Sequence, residues 1–205
     1  MSAPIYITAS CTIADHAVRK NGAMVFENRT AILPGLLTSV YQHYGISYPK
    51  FYKMDNLSKL GWLAAEILTR DSLPEGKYQP TEVGVVLANA NSSLDTDIKY
   101  FETTKTIASP AVFVYTLPNI VMGEICIRHH FKGENAFFIT EQFDAALIQG
   151  YVEMLYNEND LQACICGWVE LLGDQYKTVL FLTEKEPGAE ALLFTKENIN
   201  KIYQS

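Results

Sequence analysis

The residues of this 205-residue chain that could do chemistry are few, and the most telling is Gln142. It stands in Gly133–Tyr156, GENAFFITEQFDAALIQGYVEMLY. That stretch reads as a short apolar strand, Ala136–Thr140, a sharp turn at Glu141-Gln142-Phe143, and an amphipathic helix. Phe143, Leu147, Ile148, Tyr151, Val152 and Leu155 recur there at helical spacing, so one stripe is buried. A strand that runs straight into a helix sets one side chain at the helix N-terminus, where free N–H groups and the dipole favour an anion and can activate a nucleophile. The spacing gives that seat to Gln142, whose carboxamide has no ionisable proton and is a poor nucleophile.

Other reactive types lead less far. Cys126 lies three and four residues before His129 and His130 on a predicted helix, and thiol–imidazole pairs do nucleophilic chemistry. A mid-helix cysteine, however, has neither a helix N-terminus nor an oxyanion hole beside it. Cys164-x-Cys166 falls on a predicted strand, with both thiols on one face, and that segment offers no further Cys or His for a metal. Cys11 also falls on a strand, so the expectation is buried free thiols in a reducing compartment and no metal. His129-His130 suit the negative pole of a helix end, and His16 and His43 fall in predicted loops. Ser92-Ser93, Gly84 and Gly123 form no P-loop or dinucleotide fingerprint, so nucleotide use has no support.

The elements that must position these residues follow from pattern. Ile5–Ala9 reads as a first strand, and Asp15–Thr38 as a loop-rich passage broken by Gly22, Pro34 and Gly35. Asp55–Arg70 is a helix capped by Asp55 or Asn56, with Leu57, Leu60, Leu63, Ala64, Ile67 and Leu68 on its apolar face. Glu82–Asn89 is a nearly unbroken apolar run, as in a strand covered on both faces. Asn91–Thr104 is a helix, Ser109–Tyr115 is extended, and Thr116 caps a helix with Pro118 in its first turn that ends near His130. Ala163–Val169, Thr178–Thr183 and Ala189–Phe194 are strands, the last two joined by a turn at Glu186-Pro187-Gly188, and Glu197–Tyr203 is a closing helix. The order is βαβ-like through the middle and antiparallel at the end, which predicts an α/β domain with a mixed sheet layered with helices.

Composition sets the bounds. With 48% hydrophobic and 19% charged residues, a folded core over one domain, residues 1–205, is expected rather than disorder. A net charge of −7 without a basic stripe excludes a nucleic-acid binder and disfavours an anionic membrane surface. No run reaches transmembrane length, and MSAPIYITAS lacks a signal-peptide pattern, so a cytoplasmic location with no membrane span is expected.

From residue 53 to 170 the chain resembles the N-terminal half of β-ketoacyl synthases, of the thiolase fold. The residues that carry the resemblance are KMDNLSKLGWLAAE (Lys53–Glu66), GVVLANANSSLDTD (Gly84–Asp97), SPAVFVYTLPNIVMGEICIRHHFKGEN (Ser109–Asn135) and GWVE (Gly167–Glu170). Active members carry a cysteine at the elbow; counting from Gly133 puts Gln142 in that slot, flanked by Glu141 and Phe143. The Glu-Gln pair is similar to that of the chain-length-factor subunits of type II polyketide systems. Half-length proteins of that kind accompany ketosynthases in aryl polyene clusters.

The resemblance implies a thiolase-like half and a ketosynthase-like subunit with no catalytic residue and no cofactor of its own. Such a subunit pairs with an active ketosynthase as a heterodimer and shapes the pocket for phosphopantetheine-linked acyl chains, meeting the acyl carrier protein only indirectly. It also implies that Tyr100, Phe101, Phe113 and Tyr115 flank the interface and acyl tunnel; plain core packing accounts for these four equally well. The alternatives are a stand-alone malonyl-carrier decarboxylase or acyltransferase of the same fold, and a homodimeric scaffold without an acyl ligand.

Overall fold

A computed structural model describes residues 3–158, 160–188 and 190–205. Among them is one mixed eight-stranded sheet with seven α-helices on its two faces. The strands are β1 (Tyr6–Ala14), β2 (Ala17–Lys20), β3 (Ala23–Glu27), β4 (Val83–Asn89), β5 (Asn135–Ile139), β6 (Ala163–Leu172), β7 (Gln175–Glu184) and β8 (Leu192–Leu193). Their order is β3-β2-β1-β7-β6-β4-β5, with β8 paired to β1. Only β4 runs parallel to its neighbours, β5 and β6; the other pairs are antiparallel.

One face carries α1 (Leu33–His43), α2 (Asn56–Thr69) and α5 (Ile120–His129); the other carries α6 (Ala145–Glu158) and α7 (Lys196–Gln204). Period-two alternation divides β6 between them: Ala163, Ile165, Val169 and Leu171 join the α2 core, while Cys164 and Cys166 join the α6 core. Every residue of β4 is buried, as its unbroken apolar run predicts. The α2 helix starts where expected: Asp55 accepts the Ser58 N–H at 2.9 Å, and its other oxygen takes the Thr96 hydroxyl at 2.5 Å. Gly61 lets α5 approach, since a Cβ there would stand 2.5 Å from Val121 Cγ2.

The structure corrects several expectations. The passage Asp15–Thr38 is not a loop but holds β2, β3 and the start of α1. Two tight turns build it, Asp15-His16 and Asn21-Gly22, all four residues at positive φ as primed hairpin turns require. Pro34 sits in the first turn of α1, where a missing N–H costs nothing, and His43 lies in its last turn rather than in a loop. The first strand extends from the expected Ile5–Ala9 through Ala14 because β2 and β7 flank its second half.

Residues Ser109–Tyr115 are not extended. Ser109 caps the short helix α4 (Pro110–Phe113) by accepting the Val112 N–H, so Ser-Pro outweighs the β-prone side chains after it. The next helix is capped at Asn119, not Thr116, and Pro118 precedes it. The expected strand Ala189–Phe194 has its first residue outside the described ones. What remains of it is β8, which pairs with β1 and not with β7.

Gly167 meets the tightest constraint. Its φ is +146°, and a Cβ would stand 2.1 Å from the Val179 carbonyl oxygen on β7. Replacing Gly167 by Ala should cost about 3 kcal/mol, lowering Tm by roughly 6–12 °C in a thermal melt. Gly150→Ala, in open space on α6, should be neutral or stabilise by about 0.5–1 kcal/mol.

An ion cluster joins α2 to α5. Glu66 accepts Arg128 Nε at 2.9 Å, and His129 Nε2 lies 3.0 Å from the same oxygen. Burial alone would raise the Glu66 carboxyl, but His129 and Arg128 together outweigh it and hold the group below the usual carboxylate range. A carboxyl depressed by folding adds stability above its unfolded pKa and loses it as pH falls through the folded value. Urea melts of wild type and Glu66→Gln should therefore differ by about 1 kcal/mol near neutral pH, the exposure of Arg128 limiting the gain. The two should converge as pH drops below about 4.

Candidate functional site

The site is the corner where β5 turns into α6. β5 lies at the sheet edge, parallel to β4, and Thr140 continues its ladder by donating its N–H to Asn89 O at 3.0 Å. The chain then turns, and the Thr140 hydroxyl donates to Gln142 O at 2.9 Å. Gln142 is exposed, three residues before the first residue of α6. The helix N-terminus itself is taken by Asp144, whose Oδ1 accepts the N–H groups of Ala146 (2.9 Å) and Leu147 (3.0 Å). The expectation that Gln142 holds that seat is thus corrected, because a carboxylate two residues on bonds the free N–H groups and meets the positive pole of the helix.

Phe143, expected on the helix stripe, precedes the helix but points inward. Its ring stacks on Tyr203 of α7 (centroids 3.8 Å, planes 5° apart) and meets Trp168 edge-on at 5.9 Å. An open depression of about 660 Å³ covers the corner, lined by Thr140, Glu141, Gln142, Asp144 and, from α7, Lys196 and Asn200 among others. Among the described residues no cysteine or histidine stands in its lining.

A neighbouring feature escaped the sequence reading. Glu170, at the end of β6, accepts the N–H groups of Ala90 (2.6 Å) and Asn91 (3.3 Å) and the Asn91 amide (2.9 Å). It thereby fastens the turn leaving β4, in which Ser92 adopts φ +52° and is bonded on both sides by Asn89. This turn leads into α3 (Leu94–Thr104). GWVE stood out as a matching segment, but nothing in the sequence says that its carboxylate reaches a loop some eighty residues earlier.

The aromatics predicted near an acyl tunnel separate. Tyr100 on α3 and Phe113 on α4 touch, with centroids 5.2 Å apart. Phe101 and Phe113 are 63% and 57% exposed. Tyr115 is buried in the α2 core and donates its hydroxyl to Glu124 at 3.3 Å. None of the four lines the depression at the corner. Around Phe101 and Phe113 the surface is unusually apolar: Leu94 and Ile98 share one side of α3 with Phe101, and Ile107, Val114 and Leu117 are exposed as well.

The remaining reactive groups are quiet. Cys11, Cys164 and Cys166 are buried and unpaired, and burial pushes the Cys11 thiol up to about 12 and Cys166 well above its ordinary value. Burial raises Cys126 on α5 to about 11, so it is a protonated thiol and a poor nucleophile. His129 and His130 close α5, His130 as its left-handed cap at φ +60°. No group of three or more potential metal ligands exists among the described residues, and no helix there is long and apolar enough to cross a membrane.

No protein-family model matches this sequence, and no curated protein does. Solved structures do match. The ishigamide ketosynthase/chain length factor has a TM-score of 0.63 at 16% identity, over 91% of this chain and 63% of that one. A type II PKS acyl-carrier protein in complex with its ketosynthase bound to the hexaketide gives 0.63 at 16%, over 90% and 63%. A ketosynthase in complex with its chain length factor from Xenorhabdus doucetiae gives 0.57 at 11%, over 91% and 81%. The fold is therefore that of ketosynthase and chain-length-factor halves, and this chain spans under two thirds of the length of the first two.

The cap geometry makes a prediction of its own. Asp144→Ala should cost about 1 kcal/mol in denaturant melts and speed amide exchange in the first turn of α6. Gln142→Ala, at an exposed position, should stay within about 0.5 kcal/mol of wild type.

Proposed function

We propose that this chain is a non-catalytic ketosynthase-like subunit. It pairs in the cytoplasm with an active ketosynthase and shapes the pocket for a growing acyl chain, in polyketide, aryl polyene or fatty-acid-type synthesis. One observation carries the reading: the strand–helix corner that would hold a nucleophile presents an exposed carboxamide, Gln142, and among the described residues neither thiol nor imidazole lines it. A carboxamide cannot form the acyl thioester, so condensation must use a cysteine on another chain.

The surface supports a partner. β5 is a five-residue edge strand with one ladder partner, β4, among the described residues, and an open edge is a template for another chain. The exposed row Leu94, Ile98 and Phe101, with Phe113 on α4, offers the aromatic and aliphatic anchors that interface cores favour. Two of the matched structures are of a ketosynthase and chain length factor, which is the arrangement proposed here. The net charge of −7 argues that an acidic carrier protein docks on the partner rather than on this chain.

The test is co-expression with a ketosynthase that has an intact Cys-His-His set and is encoded beside this chain. The two should copurify in equal amounts, and the isolated chain should give no condensation from acyl and malonyl carriers. Phe101→Asp should weaken pairing by about 30-fold, the effect of losing one interface anchor. Gln142→Ala should leave pairing intact while altering product length. Condensation or malonyl decarboxylation by the isolated chain would overturn the proposal. So would a stable homodimer, by mass measurement, that ignores the ketosynthase.

A further inference from the structure

The α7 helix closes the corner, and it is not held evenly along its length. Its N-terminal end is anchored by Phe194 and Ile199, both buried, and by polar bonds. Phe194 N–H donates to Ile5 O at 2.9 Å, Lys196 N–H to Gln149 Oε1 at 2.7 Å, and the Asn198 amide to Leu193 O at 2.8 Å. Its last turn is held chiefly by half-buried Ile202 and Tyr203. The face away from the sheet carries Lys196, Glu197, Lys201 and Gln204, all exposed among the described residues.

Under Tyr203 lies an aromatic floor. Phe143 stacks on it, Trp168 meets Phe143 edge-on, and Lys177 Nζ sits 4.2 Å from the Tyr203 ring centroid on the other side. This floor adjoins the open depression at Gln142, of which Phe143 is a wall and α7 residues Lys196 and Asn200 are another. Lifting the last turn of α7 would therefore extend a polar-rimmed depression into an apolar slot floored by Phe143 and Trp168. An extended aliphatic chain fits such a slot; a charged or hydrated ligand does not.

We propose that α7 is a hinged plug, fixed at Phe194 and Ile199, whose Tyr203 occupies an apolar slot beside Gln142 and shuts it against acyl chains. The plug works without a partner subunit and takes from the functional reading only the class of ligand. Failure of pairing with a ketosynthase leaves it standing, and its own failure leaves pairing untouched.

Quenching of tryptophan emission by a doxyl-labelled stearic acid tests it. The chain has two tryptophans, Trp168 at the slot and Trp62 in the core on the opposite face. Wild type should show little saturable quenching. Tyr203→Ala should bind the probe on the order of 5–10-fold more tightly, as the closed state loses its ring stack and the burial that goes with it. Tyr203→Phe keeps the stack and should behave as wild type. Lys177→Ala, which leaves the core intact, should give a gain of about two-fold. Adding Trp168→Phe to Tyr203→Ala should abolish the extra quenching, which places the probe at the slot. Wild-type binding as tight as that of Tyr203→Ala would overturn the proposal. So would extra quenching that survives Trp168→Phe, or no gain in either Tyr203→Ala or Lys177→Ala with circular dichroism unchanged.

Discussion

The arrangement depends on β6 being paired on both edges and packed on both faces. It is antiparallel to β7 on one side and parallel to β4 on the other, and it lies between the α2 and α6 cores. A strand in that position has no freedom to slip, because a shift of one residue would exchange the two faces. Gly167 is where this confinement is most severe: the β7 backbone comes so close that no side chain fits. With β6 fixed, β4 is fixed beside it, and β5 beside β4. The strand–helix corner thus takes its position from β5 on one side and, through Phe143 and Ala145, from the α6 core on the other. Glu170 extends the same control, since the far end of β6 holds the turn through which β4 leads into α3.

Much of this was legible in the sequence. The periodicity of residues 55–70 and the apolar run at 82–89 gave α2 and β4 to within a residue at most boundaries, since burial on one stripe or on both faces leaves a distinct pattern. The mixed α/β architecture followed from the order of those elements. The misses have physical causes. Asn21-Gly22 reads as a breaker when viewed alone, but between short β-prone runs it is a hairpin turn, and that signal was present. At 109–115 the side chains favour a strand, and a two-residue cap signal decides for a helix. At the corner, three polar residues in four leave the capping residue ambiguous, and only coordinates show that Asp144 rather than Gln142 meets the N–H groups. Side-chain direction was the least legible: of Phe101 and Tyr115, one faces solvent and the other the core, and composition treats them alike.

The corner also shows how far sequence can diverge while the backbone path is kept. At 11–16% identity to the matched structures, few side chains are shared, yet the backbone path extends over nine tenths of the chain. What such a corner requires is a strand end, a capped helix and an apolar floor. Asn89, Asp144, Phe143 and Trp168 supply these. Charge at the helix start is satisfied locally, by the Asp144 carboxylate against helix N–H groups.

The place of β1 has a consequence for synthesis on the ribosome. Its hairpin with β2 closes within a few residues, but its other edge waits for β7, far along the sequence, as the pairing of Ile13 with Thr178 records. During translation this three-stranded meander therefore emerges with one long edge open, and its mate follows only after β4, β5 and β6 have been made. Rapid translation between β3 and β7, or a chaperone over the nascent edge, would shorten the interval in which that edge can pair with the wrong chain.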